Sequence, residues 1–188
     1  GCAVVGSQLS MRILSSSGDA QRASTPTALL HALERGREHL LDRSVLEIAE
    51  VIGRVGHRFL DAKAPIRRLA LQGLPDEAGI SQPMAAAILD GMAREWTSRS
   101  LLKLLHTEFE QATVLDTFIS RPNGGRHRAL GLSPAVHITS GNVPGVGVTS
   151  LIRGLLVKSA VLLKPGAEDR LLSSLFLDAL ASEDPDLA

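Results

Sequence analysis

The sequence predicts an α/β protein with a helical front and a βαβα unit at its carboxyl end. Three observations predict it. Apolar residues recur three and four apart from Thr25 to about Glu110, the spacing of helices that bury one face. Beyond residue 134 the pattern changes to two short apolar runs, each followed by a turn and a stretch of helix length. A turn-rich basic segment, Arg121-Pro-Asn-Gly-Gly-Arg-His-Arg128, separates the two regions.

The elements follow in order. Residues 1–24 carry no clear pattern and form a poorly defined segment; 25–119 are mainly helical, 120–134 a loop, and 135–188 a partial βαβα domain. Thr25-Pro26 opens a first helix with Leu29, Leu30, Leu33 and Leu40 on one stripe. Ser44-Val-Leu-Glu47 is a capping box leading into Ile48, Val51, Ile52, Val55 and Phe59. Pro65 opens a third helix, with a stop expected near Gly73-Leu-Pro75. Ser81-Gln-Pro83 opens a fourth, with Met84, Ile88, Leu89 and Met92 on one face, and Ser98 to Phe109 forms a fifth. Ala135 to Thr139 and Ala160 to Leu163 read as buried strands, Val146 to Val157 and Arg170 to Ala181 as the helices after them. Two strands alone do not make a covered parallel sheet, so a truncated domain is expected.

Composition narrows the function classes. The 188 residues hold 20 Lys+Arg and 20 Asp+Glu, for a formal charge of zero; 44% are apolar and 21% charged. These values exclude disorder for most of the chain and argue against nucleic acid or an anionic membrane as the main partner. No run approaches the ~20 apolar residues of a membrane span, so no transmembrane segment is expected. The single cysteine, Cys2, leaves no internal disulfide, and with no secretory pattern visible the expected location is the cytoplasm. The chain starts at Gly1 rather than Met, so a trimmed amino end is expected.

The six histidines are scattered and none forms a helical metal pair, so no metal is expected. There is no P-loop and no G-x-S-x-G elbow. Gly145-Val-Gly-Val-Thr-Ser150 approaches a dinucleotide fingerprint, but Ser replaces the third glycine and Lys164 stands where an acid would hold a ribose. Close helix–strand packing explains these glycines better. Two positions stand out. Asn142 lies just past the first strand, where open α/β sheets place ligands, and its amide can donate to a developing oxyanion; a turn-forming Asn is the plainer reading. Lys164 ends the second strand on the same rim, a point charge for a ribose hydroxyl or phosphate, or simply a solvated strand end.

These segments resemble a family. His137-Ile-Thr-Ser-Gly-Asn-Val-Pro-Gly145, Thr149-Ser-Leu-Ile-Arg153, Leu156-Val-Lys-Ser-Ala160 and Leu162-Leu-Lys-Pro165 are similar to the LuxC-type long-chain acyl-CoA reductases of the aldehyde dehydrogenase superfamily. Leu89-Asp-Gly-Met-Ala-Arg-Glu-Trp96 and the tail Leu180 to Leu187 extend the likeness from about Pro26 to the end. The resemblance implies a Rossmann-type cofactor domain, of which this chain holds the first half. It also implies reduction of a fatty acyl-CoA, or an acyl-carrier substrate, to an aldehyde. NADPH is the implied reductant, with NADH the alternative, and a cysteine thioester the intermediate.

Carried over, Asn142 matches the oxyanion-hole asparagine; Ile138, Thr139 and Ser140 match the stretch beside the nicotinamide. Lys164 matches the lysine on the adenosine ribose or its phosphate, followed by Pro165. Many members carry a glutamate three residues after that lysine; here Ala167 holds the place and Glu168 is one further on, which leans towards NADPH. The nucleophilic cysteine lies downstream in the family, and Cys2 matches no motif, so this piece alone is expected to be inactive. A homo-oligomer or an acyl-transferring partner enzyme is the implied company. The other classes left open are a non-catalytic nucleotide-binding or assembly module and a related aldehyde dehydrogenase with another substrate.

Overall fold

The computed structural model of the chain describes residues 2–5, 11–14 and 26–188, the first two stretches as backbone strands. Most of the segment 1–24 therefore lies outside the described residues. Helices α1 (Pro26–Leu41), α2 (Val45–Leu60), α3 (Pro65–Ala78), α4 (Gln82–Glu95) and α5 (Ser98–Phe109) form the helical region. The second region runs β5 (Ala135–Ile138), α6 (Val146–Leu156), β6 (Val161–Lys164), α7 (Arg170–Glu183). Strands β1 (Cys2–Val5) and β2 (Met11–Leu14) come from the amino end, and the two-residue strands β3 (Ile119–Ser120) and β4 (Arg126–His127) make a small hairpin.

Helix α2 sits at the centre. Its capping box is complete: the Ser44 hydroxyl accepts from the Glu47 N–H, and the Glu47 carboxylate accepts from the Ser44 N–H. That pins the start so that Ile48, Val51, Ile52, Val55 and Phe59 all turn inward and are buried. Phe59 meets Trp96 edge-on at 5.5 Å, and Trp96 meets Phe176 at 5.6 Å. Each such pair adds about 0.5–1.5 kcal/mol beyond area burial, and together they join α2, the end of α4 and α7.

Three expectations about the helices are corrected. Helix α3 does not stop at Gly73-Leu-Pro75 but runs through Pro75 to Ala78. Leu74 is fully buried there, so packing outweighs the one backbone bond a proline removes; the stop comes at Gly79, left-handed at φ 63°. On α4 the buried face is Ala85, Leu89 and Ala93, while Met84 is 52% exposed. On α1, Leu30 falls off the stripe and is exposed. The segment 120–134, expected as a loop, opens with the β3–β4 hairpin.

The four-stranded sheet has the order β2-β1-β6-β5. β5 and β1 flank β6 in parallel, and β2 is antiparallel to β1. The βαβα reading of the second region is therefore correct, and the architecture is an α-rich α/β one. The expectation that β5 and β6 lack further strands did not anticipate β1 and β2. They arise from Cys-Ala-Val-Val and Met-Arg-Ile-Leu, four-residue runs too short for periodicity to register. Helices α6 and α7 bury one face of the sheet through Val161 and Leu163. Leu29 and Leu33 of α1 cover part of the other, against Ala160 and Leu162. Val136 and Ile138 on that second face stay open, 58% and 74% exposed.

Candidate functional site

The loops after β5 and β6 lie side by side and are joined at three levels. Ile138 pairs in register with Lys164, and the Thr139 N–H donates to the Lys164 carbonyl at 3.1 Å. One level on, Gly166 sits against the backbone of Gly141 so closely that a Cβ there would overlap it. At the third level, the Gly145 and Gly147 N–H groups both donate to Asp169, at 2.6 Å each. A Cβ on Gly147 would meet Ser173 Oγ at 2.5 Å and Asp169 Oδ2 at 2.9 Å, and Gly145 has φ 93°. These two glycines serve packing and turn, as the sequence favoured. The N-terminus of α6, where a dinucleotide fingerprint would receive phosphate, is already taken by the Asp169 carboxylate.

Asn142 is exposed at the tip of the first loop. The Ser140 hydroxyl donates to its Oδ1 at 2.7 Å, which leaves the amide nitrogen to donate outward. Thr139 Oγ1 is buried with no hydrogen-bond partner. Lys164 and Glu168 are exposed, Pro165 is buried under the second loop, and Ile138 faces the open side of the sheet. Among the described residues Lys164 has no ion-pair partner. No Asp or Glu occurs between Asp116 and Glu168, so Glu168 and the buried Asp169 are the acids that these two loops carry. The structure thus gathers Thr139, Ser140, Asn142, Lys164 and Glu168 on one rim, with Ile138 at its edge and Pro165 behind it. An exposed lysine at a strand end is suited chemically to a phosphate or a hydroxyl.

Beside this rim runs a groove. A cavity of about 490 Å³ lies between α4, α5 and α6, walled by Met92, Leu101, Leu104, Val146 and Ile152, with the charged Glu95 and Arg153 also on its lining. A second, of about 340 Å³, continues along α5 and α6 past Leu105, Phe109 and Leu156, sharing Leu104 and Arg153 with the first. The groove begins at Val146, four residues after Asn142, where Met92 packs on Gly145. Trp96 Nε1 donates to Thr149 Oγ1 at 3.2 Å, and Ser150 Oγ bonds His137 Nδ1 at 2.7 Å, so most polar groups in the wall are already paired.

Sequence reasoning missed Asp169 and the groove. Asp169 is fully buried; burial pushes its carboxyl above the usual carboxylate range, and the two glycine N–H donors pull it back. Glu77 of α3 does the same work at the start of α7, accepting from the Leu171 and Arg170 N–H groups, and burial raises it too. An acid one residue before a helix was the available signal for Asp169. The basic hairpin is exposed, with Arg126 5.5 Å above the Phe118 ring. No cluster of His, Cys, Asp or Glu suited to a metal exists among the described residues.

The family model described as acyl-CoA reductase (LuxC) matches residues 40–188. The long-chain acyl-protein thioester reductase of Vibrio harveyi is 26% identical over 150 residues, which are 79% of this chain and 31% of that protein. The enzyme of the same description from Aliivibrio fischeri is 28% identical over 152 residues, covering 76% of this chain and 31% of its own length. That from Photobacterium phosphoreum is 27% identical over 141 residues, 72% of this chain and 28% of that protein. The chain spans just under a third of the length of these curated relatives.

Proposed function

The chain belongs to the acyl-CoA reductase (LuxC) family, and we propose that it forms the cofactor rim and acyl groove of an enzyme reducing a long-chain acyl thioester to an aldehyde. One observation carries the reading: the amide of Asn142 and the exposed Lys164 share one rim, and a groove with largely apolar walls begins beside it.

In this reading the acyl donor is a fatty acyl-CoA or an acyl protein. The thiol that takes the acyl group comes from a segment beyond residues 26–188, which contain no cysteine. Thiolate attack forms a new carbon–sulfur bond, and the donor leaves as its thiol. Asn142 donates to the carbonyl oxygen as charge gathers on it, an effect worth ~10²–10³ in rate for one such donor. A reduced nicotinamide dinucleotide, NADPH by preference, supplies the hydride when bound. Lys164 and Glu168 hold its ribose or phosphate, Pro165 shapes the turn beneath, and Ile138, Thr139 and Ser140 border the nicotinamide side. The fold completes as an aldehyde-dehydrogenase-like cofactor domain of which β5-α6-β6-α7 is the first half. Residues 1–188 alone do not turn over. The Leu104 and Ile152 walls take the acyl chain, excluding water from the reacting carbon.

The experiment is acyl-dependent NADPH oxidation by the full-length protein. Wild type consumes NADPH with a long-chain acyl thioester, and Asn142→Ala is slower by about two orders of magnitude. Full activity in Asn142→Ala, or activity with free aldehydes but no acyl thioester, overturns the proposal.

A further inference from the structure

We infer that Asp169 is a positioning residue for the Asn142 loop: its buried carboxylate, bridging the N–H groups of Gly145 and Gly147, fixes where α6 begins and so where the Asn142 amide points. This rests on the reading of Asn142 as the oxyanion donor.

Helix α6 starts at Val146 with Gly145 as its cap, and a glycine has no side chain with which to satisfy the first turn. The cap comes instead from Asp169, 24 residues further along at the head of α7. A cap borrowed from the next loop ties the two loops together, which a local serine or threonine cap would not do. The site is shaped around that carboxylate. Gly145 takes a left-handed conformation that brings its N–H to Oδ1, and Gly147 has no Cβ to keep Oδ2 away. The Ser173 hydroxyl closes the back, donating to the Asp169 carbonyl at 3.0 Å.

Asn142 lies between the fixed points. Upstream, Thr139 is held to Lys164 and Gly141 lies against Gly166; downstream, Gly145 is held to Asp169. The intervening residues therefore have both ends anchored to the same β6–α7 loop. Loss of the Asp169 anchor frees one end only, so Asn142 loses its aim while the groove wall from Thr149 onward stays in place. The signature is a loss of turnover with acyl affinity retained, because a misplaced donor costs rate more than binding.

The experiment is a double-mutant cycle in the full-length protein, with Asp169→Asn, Asn142→Ala and the pair. Asp169→Asn keeps the shape but sets an NH2 group against one glycine N–H. The expected result is a fall in kcat of tenfold or more with KM for the acyl thioester within about twofold, and no further fall when Asn142→Ala is already present. Asp169→Glu, which keeps the charge but moves it by one methylene, is the second variant and gives the same split. A drop in Asp169→Asn that persists undiminished in the Asn142→Ala background overturns the inference, as does unchanged kcat in both Asp169 variants. An Asn142→Ala enzyme of full activity removes the reading beneath it, and the cycle shows that separately.

Discussion

The same substitution, glycine to alanine in a helix, should have opposite signs at two places in this chain. At Gly91, on the exposed side of α4, a Cβ meets nothing within 4 Å. Alanine there only removes backbone freedom from the unfolded chain and gains about 0.5–1 kcal/mol. At Gly147, in the first turn of α6, the Cβ would stand 2.5 Å from Ser173 Oγ and 2.9 Å from Asp169 Oδ2. Relief requires the carboxylate to retreat, which breaks a hydrogen bond to a charged acceptor worth about 1.5–3 kcal/mol and strains the packing by ~1–3 kcal/mol. The helix-propensity gain of about 1 kcal/mol offsets part of this, leaving a net loss of about 1.5–5 kcal/mol. Equilibrium urea unfolding, followed by the fluorescence of the single tryptophan, Trp96, measures both. Trp96 is buried against Phe59 and Phe176, so its emission reports loss of the helical core. If Gly147→Ala is as stable as wild type, the Asp169 clamp is not the tight structure inferred from these distances.

Other perturbations bear on different parts of the molecule. Lys158 is buried, with Nζ 2.7 Å from Asp116 and 2.6 Å from the Arg43 carbonyl; Lys158→Met costs about 3 kcal/mol or more by urea unfolding, and Asp116→Asn in the same chain recovers part of it. Burial raises Asp169 and Glu77 above their ordinary values of 3.8 and 4.5, so the folded chain holds these protons more tightly than the unfolded one. Their contribution is then greatest below those values and is lost as pH rises through the raised ones; Asp169→Asn flattens that fall in a pH series of unfolding midpoints, and an unaltered slope contradicts it. Leu104→Trp narrows the groove where its two cavities join. Each methylene it excludes costs about 0.8 kcal/mol, so kcat/KM for long acyl chains drops by tenfold or more relative to medium ones in the full-length protein.

Helices with strong local signals were legible. Ser44 and Glu47 announce α2, and each of the five apolar residues its spacing names is buried, because cap and stripe agree. Legibility fails where distant packing decides. Pro75 looked like a stop, yet the burial of Leu74 carries α3 through it. Met84 and Leu30 are as apolar as their buried neighbours but sit outside the faces that α2 and the sheet cover. At the site, Asn142 and Lys164 were readable as adjacent strand ends, since parallel register alone brings them to one rim. Asp169 was not, because its partners lie in the preceding loop and only the fold brings them together.

The sheet also sets an order of assembly. Helices α1 to α5 are joined by short turns and can find one another quickly, as can β5, α6 and β6. Strand β1 is different: it can pair early with the nearby β2, but it reaches β6 only by bringing Cys2 opposite Val161, almost the whole chain apart. The long closure makes β1 the slow step, so the β6 flank that β1 later covers stays open during refolding, when another chain can pair with it. Refolding yield that falls steeply with protein concentration, while the helical signal returns early, is the kinetic mark of that topology.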